Sequence, residues 1–303
     1  MNTVEIEHVT KSFGSHVAVN DLSLNVPEGS VYGFIGPNGA GKTTTLRMIL
    51  NIFRPDSGSL RLFGDRSRGT RDARIGYLPE ERGLYRRMKV RELLVFFSEL
   101  RCGSPRTDEI EGWLGRLDLG GWADRKVEAL SKGMSQKVQF IAAAIGAPRL
   151  LVLDEPFSGL DPVNLDTLRR AVLELRERGT TVIFSTHDMG VAERMCDFVF
   201  MIFRGRKVLD GTLGSIQEEY GADTVRVRTE QGRACLDGLP GVGQVDDFGQ
   251  LQELRLRPGA DPQSLLAALV ARTRVRSFEI VTPSLHDIFV RIAGPEAQEA
   301  SHA

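Results

Sequence analysis

The sequence of 303 residues contains no long hydrophobic run. Its longest mostly apolar stretch, residues 138–147, is much shorter than the about 20 residues that cross a bilayer. The first seven residues also lack the basic start and the apolar stretch of a signal peptide. These absences argue against a membrane-spanning helix and predict a protein of the cytoplasm.

Cysteine is scarce, and neither sign of charge is in excess. The three cysteines, Cys102, Cys196 and Cys235, are odd in number and far apart, so they predict free thiols in a reducing compartment. Thirty-nine Lys and Arg residues oppose forty Asp and Glu residues, for a net charge of -1. Because this balance creates no global positive field, we expect no nucleic-acid partner.

A glycine-rich segment lies between a predicted strand at 29–35 and a predicted helix at 43–53. Its residues 36–43, Gly-Pro-Asn-Gly-Ala-Gly-Lys-Thr, fit the pattern G-x-x-x-x-G-K-[ST]. Glycines let backbone N–H groups point at phosphate oxygens, and the following helix adds the positive end of its dipole. We expect Lys42 to reach the β- and γ-phosphates and the Thr43 hydroxyl to ligate Mg²⁺. The predicted nucleotide-binding residues of this segment are Gly36, Pro37, Asn38, Gly39, Ala40, Gly41, Lys42, Thr43 and Thr44.

A pair of carboxylates indicates what the predicted nucleotide site does with the bound phosphates. The apolar run 149–153 predicts a buried strand, and Asp154 and Glu155 follow it directly. In α/β folds the carboxyl end of such a strand lies at the edge where ligands bind. We expect Asp154 to hold Mg²⁺, directly or through water, and Glu155 to polarise the attacking water as general base.

Residues 130–137, Leu-Ser-Lys-Gly-Met-Ser-Gln-Lys, precede the carboxylates and open a predicted helix. With the glycine-rich loop, this order of motifs resembles the nucleotide-binding subunit of an ATP-binding cassette (ABC) transporter. The family signature, Leu-Ser-Gly-Gly-Gln, matches at Leu130, Ser131 and Gly133, and the resemblance covers residues 4–212. It implies a P-loop ATPase that binds ATP and Mg²⁺ and couples hydrolysis to transport.

Further matches carry the same resemblance. Residues 158–161, Ser-Gly-Leu-Asp, match the family's D-loop, and His187 matches its switch histidine, which touches the γ-phosphate and the attacking water. Phe13 lies where the family stacks an aromatic ring on adenine. The resemblance therefore implies catalytic roles for Glu155, His187 and Lys42, and nucleotide-binding roles for Phe13, Ser131 and Gly133.

The signature forms a second anion site, because Ser131 and the N–H groups at the start of its helix can bind phosphate. A long helical insert separates this site from the glycine-rich loop. In the family, each ATP lies between the loop of one subunit and the signature of its partner, in a head-to-tail dimer. With one copy of each motif, the chain is expected to form a homodimer or to pair with a similar subunit.

Two residues depart from the family pattern. Glu80 replaces the usual glutamine, but its carboxylate can still accept from Mg²⁺-bound water, so it joins Thr43 and Asp154 as a predicted metal residue. Lys132 replaces the first glycine of the signature. Both departures resemble a subgroup of bacterial ABC-2-type exporter ATPases similar to sodium-extruding and drug-exporting ones, and we expect hydrolysis to survive them.

The predicted fold class is α/β. A P-loop NTPase (RecA-like) core carries an antiparallel β subdomain and a helical subdomain, and a small α+β domain follows it. We place the ATP-binding domain at 1–220, with its helical subdomain at about 85–147, the accessory domain at 221–294 and a disordered tail at 295–303. The accessory domain resembles the C-terminal extension of drug- and ion-exporter ATPases, where dimer support or regulation is favoured over ligand binding.

Residues 82–91 carry five basic side chains and lie where the family docks its membrane subunit. We therefore expect a multi-spanning permease as partner and a peripheral position on the inner face of the cell membrane. The leading hypothesis is the ATPase motor of an exporter, with sodium, a drug, a lipid or a polysaccharide as open choices of cargo. The alternative is a soluble ABC ATPase acting on ribosomes or DNA, and a small-molecule kinase is a third hypothesis.

Overall fold

The computed structural model describes residues 1–66, 72–81, 83–221 and 224–300, with side chains described as far as Gly294. The chain divides into two compact units, Met1–Leu213 and Gly214–Ala303. The division lies earlier than the predicted break at residue 220, because most of the helix Leu213–Glu219 belongs to the second unit. In the ranges described above, every helix is too short or too polar to cross a membrane.

An antiparallel sheet begins the first unit. Its strands are β1 (Asn2–Phe13), β2 (His16–Pro27), β4 (Ser57–Leu62) and β5 (Asp65–Arg66), in the order β2-β1-β4-β5. Alternate residues of β1 and β2, such as Val4, Ile6 and Leu24, are buried in one apolar cluster. The sheet agrees with the predicted antiparallel β subdomain, and one of its faces is covered by the core.

A mainly parallel sheet forms the core of the first unit. Its strands are β3 (Val31–Ile35), β6 (Ile75–Leu78), β7 (Leu150–Leu153), β8 (Thr181–Thr186), β9 (Phe198–Phe203) and β10 (Arg206–Thr212), in the order β10-β9-β3-β8-β7-β6. Only the β9–β10 hairpin is antiparallel among these pairs. Alternate residues of β3 and β7 enter two different apolar clusters, so both faces of the sheet are covered. The segments that follow β3, β6, β7 and β8 therefore emerge at the same edge.

Helices surround this sheet. They are α1 (Lys42–Ile49), α2 (Val90–Cys102), α3 (Thr107–Arg116), α4 (Lys132–Ala144), α5 (Pro162–Glu177) and α6 (Met189–Glu193). The carboxylate of Asp161 caps α5 by accepting from two backbone N–H groups, as its sequence predicts. Leu100 continues the apolar spacing of α2, which favours a core position, but it is 72% exposed. It lies at the rim of a cavity of about 450 Å³ instead of inside the core.

The second unit is a four-stranded antiparallel sheet with helices. Its elements are α7 (Leu213–Glu219), β11 (Thr224–Thr229), β12 (Val242–Asp247), β13 (Gln252–Leu256), α8 (Pro262–Arg272), β14 (Val275–Val281) and α9 (Leu285–Ala300), with strand order β12-β13-β11-β14. Buried side chains of β11 and β13 pack against Leu265 and Leu269 of α8. These strands and helices agree with the predicted α+β class of the accessory domain.

The predicted disordered tail at 295–303 differs from the structure over part of its length. Helix α9 continues to Ala300, because residues 296–300 (Glu-Ala-Gln-Glu-Ala) have high helix propensity. Residues 301–303 lie outside the described residues.

Candidate functional site

The glycine-rich loop joins β3 to α1 at the carboxyl edge of the parallel sheet. Gly39 and Gly41 have φ angles of 75° and 108°, in the region that favours glycine. A Cβ atom on Gly41 would lie 2.5 Å from the carbonyl oxygen of Ala18. Because the loop passes so close to β2, only a residue without a side chain fits, and the backbone is free to curl around an anion.

Lys42 is the first residue of α1 and is 5% exposed. Its Nζ donates hydrogen bonds to the carbonyl oxygens of Gly36 and Pro37, at 2.6 Å and 3.2 Å. The same atom lies 3.4 Å from Glu155 Oε1, which makes no hydrogen bond within the described chain, so this contact is an ion pair only. The ammonium group thus stands between the loop and the carboxylate predicted to act as base.

Asp154 follows β7 and is completely buried. Its Oδ1 accepts hydrogen bonds from Thr43 Oγ1 at 3.1 Å and from Ser185 Oγ at 2.6 Å. Its Oδ2 has no hydrogen-bond partner among the described residues. Burial raises the pKa of the Tyr77 hydroxyl on β6, and the negative charge of Asp154 raises it further. A buried carboxylate oxygen without a donor suits a hard cation such as Mg²⁺, which prefers oxygen ligands.

Glu155 adopts a positive φ of 49°, which is uncommon for a residue with a side chain. Its backbone N–H donates to Ser185 Oγ at 2.8 Å, which holds the strained turn in place. Glu155 Oε2 lies 3.1 Å from Nδ1 of His187. The Glu155 side chain is 9% exposed and the His187 side chain 54% exposed, so the pair connects the buried floor of the site to its open side.

A cavity of about 330 Å³ opens in front of the loop. Its lining residues are Phe13, His16, Ala18, Asn38, Gly39, Ala40, Gly41, Lys42, Thr43, Thr44, Glu80 and Glu155. The structure therefore brings Phe13 and Glu80 to the same space as the loop, while Gly36 and Pro37 contribute carbonyl groups behind it. Phe13 is 45% exposed, and its ring meets the Phe53 ring edge-on at 5.3 Å. The exposed part of the Phe13 ring lies at the cavity, where an aromatic ring can stack on a base.

The signature residues lie elsewhere in the unit. Ser131 caps α4 by accepting from the Met134 N–H at 3.2 Å, and, within the described chain, neither Ser131 nor Gly133 lines the cavity. The Lys132 side chain extends across Gly159 of the D-loop, and a Cβ on Gly133 would lie 3.1 Å from Asn164 Nδ2. The signature helix is therefore packed against the D-loop of its own chain, apart from its own glycine-rich loop.

Ser185 and His16 are site residues that the motifs did not single out. Ser185 lies one residue before the end of the buried strand β8, and a serine at such a position carries no distinctive sequence signal. His16 precedes the alternating pattern of β2 and falls outside every motif. Their roles become visible only through the contacts and the cavity that the fold creates.

Replacing Ser185 with alanine should destabilise the first unit and weaken the site. The change leaves the Glu155 N–H and one acceptor position of Asp154 unpaired in a fully buried place, which costs about 1–3 kcal/mol of unfolding free energy. Urea denaturation measures this loss. Ser57→Ala, at an exposed serine of β4, is the matched control. Equal stability of the two variants would contradict the supporting role of Ser185.

The parallel sheet order, the loop and the paired carboxylates define a P-loop ATPase of the cassette type. Comparison with known proteins agrees: residues 19–158 match the ABC transporter family, and residues 211–293 match the C-terminal domain of proteins like the ATP-binding proteins DrrA1-3. The chain belongs to the family of ABC transporter ATP-binding proteins, which are ATPases coupled to transport and work with membrane permeases.

Relatives resemble the whole chain. YhaQ of Bacillus subtilis (strain 168), an ABC transporter ATP-binding protein without an assigned role, is 40% identical over 291 residues, covering 95% of this chain and 98% of YhaQ. The Nod factor export ATP-binding protein I of Burkholderia lata is 34% identical over 303 residues, covering 98% of both chains. A solved structure of an ATP-binding subunit of an ABC transporter superposes with a TM-score of 0.66 at 28% identity, covering 72% of this chain and 93% of its own.

Proposed function

We propose that this chain is the ATP-hydrolysing subunit of an exporter and drives a separate membrane permease. The observation that carries the proposal is the meeting of Lys42, Asp154, Glu155 and His187 at one sheet edge, beside a cavity lined by the glycine-rich loop. The export direction rests on the full-length similarity to an ATP-binding protein of Nod factor export. The cargo belongs to the permease and stays open.

The hydrolytic roles follow from the contacts. Glu155 is nearly buried, and its Oε1 has no hydrogen-bond donor, so this oxygen can accept a proton from a water that attacks the γ-phosphate. His187 lies within hydrogen-bond distance of the other carboxylate oxygen, so it can orient Glu155 toward the attacking water. Lys42 supplies positive charge where negative charge collects on the leaving phosphates.

Thr43 and Asp154 are the proposed holders of Mg²⁺, with Glu80 on the rim as an acceptor for water bound to the ion. The ion neutralises charge on the β- and γ-phosphates when it is bound. The Asp154 oxygen without a donor supports this assignment, because an unpaired buried carboxylate is otherwise costly. Ser185 and Thr43 both donate to the other carboxylate oxygen, Oδ1, and so fix the orientation of the Asp154 side chain.

We infer a head-to-tail dimer as the working form. Within the described chain, Ser131 and Gly133 stay out of the cavity that contains Lys42, so one chain offers only half of a phosphate cage. The N–H groups at the start of α4 can bind an anion that a second chain holds. A second copy related by twofold symmetry completes two such sites. Hydrolysis then reopens the dimer, and this motion drives the permease.

Residues 83–91 provide the proposed permease contact; Arg82 lies outside the described residues. The backbone of this segment is held by hydrogen bonds from Val127 N–H to the Met88 oxygen at 3.0 Å and from Glu128 N–H to the Arg86 oxygen at 2.9 Å. Three of its side chains nevertheless face solvent: Tyr85 is 56% exposed, and Arg86 and Arg87 are exposed. A fixed backbone with exposed aromatic and basic groups suits a protein contact.

Charge reversal tests this contact. We expect Arg86→Glu with Arg87→Glu to reduce co-purification of the permease about tenfold or more while ATP affinity stays unchanged, because neither arginine lines the cavity. The control is Arg61→Glu with Arg228→Glu, which reverses two exposed arginines elsewhere. Equal recovery of permease with both double variants would contradict the assignment of the segment.

The function as a whole is tested by purification from detergent-solubilised membranes, with wild type and Glu155→Gln compared in the presence of ATP. Recovery of a multi-spanning protein supports the exporter motor and identifies the subunit that recognises cargo. Recovery of ribosomes or DNA without any membrane protein would overturn the transport role and leave the ATPase site standing. A complex with a multi-spanning protein would also support peripheral attachment to the membrane.

A further inference from the structure

His16 stands beside Phe13 at the outer wall of the nucleotide cavity. The two residues are directly paired across the hairpin of β1 and β2, and they close its two-residue turn. Directly paired residues of an antiparallel ladder project from the same face of the sheet. Both side chains line the cavity, so the hairpin presents two rings, one apolar and one polar, to the same ligand.

The imidazole of His16 is available for a ligand. It is exposed, and it makes no hydrogen bond or ion pair with any residue that the structure describes. His8, on the neighbouring strand β1, differs: its Nδ1 lies 2.8 Å from Asp21 Oδ1 and it does not line the cavity. The chain thus contains a free histidine at the site and a paired histidine away from it.

The position of His16 along β2 indicates which part of the nucleotide it meets. Ala18 lies two residues further along the strand, at an irregularity in the pairing of β1 with β2, and it lines the same cavity. Its carbonyl oxygen is where the strand approaches Gly41 of the loop. Two residues of antiparallel strand span about 7 Å. His16 is therefore displaced outward from the phosphate-binding loop, toward the adenine side that Phe13 marks, which places it at the sugar and the α-phosphate.

We propose that His16 is a nucleotide-positioning residue that contacts the ribose and α-phosphate of ATP and makes ATP binding stronger at acid pH. The inference rests on the proposed ATP site. A protonated imidazole attracts the triphosphate, so ATP binding and protonation of His16 favour each other, and ATP affinity is higher at acid pH. The other charged groups that line this cavity are Lys42, Glu80 and Glu155, with Lys11 5.5 Å from the Phe13 ring.

The test is a calorimetric titration of the full chain with magnesium ATP at about pH 6 and about pH 8. Wild type, His16→Ala, His16→Gln and His8→Ala are compared, because protonation of the nucleotide itself affects all four equally. We expect His16→Ala to raise the Kd for ATP about fivefold at the lower pH and less than about twofold at the higher pH. Glutamine should restore part of the affinity through a neutral hydrogen bond, without the pH dependence.

Steady-state kinetics provide a readout that a merely structural role would not change. A contact made equally in the ground and transition states should raise KM in His16→Ala and leave kcat unchanged. ATP affinity of His16→Ala equal to that of His8→Ala at both pH values would overturn the inference, with ATPase activity of the wild type intact. Failure of wild type itself to bind ATP would overturn the proposed function together with the inference.

Discussion

Glu155→Gln should lower steady-state ATP hydrolysis by about 10²–10⁴-fold, the range that a general base supplies. The amide cannot accept a proton from the attacking water at neutral pH, while its shape preserves the packing of a residue that is 8% exposed. ATP binding should persist or tighten. The substitution removes a negative charge that lies 3.4 Å from Lys42 and faces the same cavity as the phosphates.

The measurement is phosphate release under saturating magnesium ATP, with ATP affinity measured in parallel. Glu177→Gln, at an exposed position near the end of α5, makes the same chemical change outside the site and should retain full activity. Trapped ATP with little phosphate release identifies Glu155 as the base. A variant that hydrolyses ATP at the rate of Glu177→Gln would contradict that role and would leave the chemistry to another group.

Local strings of sequence predict the chemical centre because the chemistry itself fixes their spacing. A phosphate loop needs its glycines, Lys42 and Thr43 within a few residues, and Asp154 and Glu155 must follow a buried strand. Parallel strand order then brings these segments to one edge, so the meeting of Glu155 with His187 at 3.1 Å is within reach of sequence reasoning. The family resemblance itself is supported by the relatives and by the fold.

Residues that depend on a three-dimensional surrounding are less visible in the sequence. Ser185 is one of many serines, and only the approach of β7 to β8 makes it the shared partner of Asp154 and Glu155. Leu100 continues an apolar period on α2, yet it lies at the rim of a cavity and is mostly exposed. Strand β12 (Val-Gly-Gln-Val-Asp-Asp) contains glycine and two aspartates, which are rare in strands, so its pairing with β13 overrides a weak local preference.

The proposed dimer makes a prediction about mixtures of inactive subunits. Lys42→Ala removes the phosphate-binding ammonium, and Ser131→Arg obstructs the start of α4 with a bulky side chain. Each variant alone should lose nearly all hydrolysis, because both of its sites carry the defect. In a mixed dimer with shared sites, the intact loop of the Ser131→Arg chain faces the intact signature of the Lys42→Ala chain, so one whole site is restored.

Equal mixing after subunit exchange should therefore return about a quarter of wild-type phosphate release, because half of the dimers are mixed and each has one working site of two. The figure of a quarter assumes that the two sites of a dimer work independently. Any clear recovery of phosphate release, whatever its size, requires a site built from two chains. Lys42→Ala mixed with Glu155→Gln in the same manner provides the control. In this control mixture each site carries one defect, so hydrolysis should not recover. If the loop and the signature acted on one another within one chain, hydrolysis would not recover in any mixture. Absence of recovery in the mixture of Lys42→Ala with Ser131→Arg, with exchange verified by differently tagged subunits, would contradict the head-to-tail arrangement. In that arrangement the intact loop of one chain must meet the intact signature of the other.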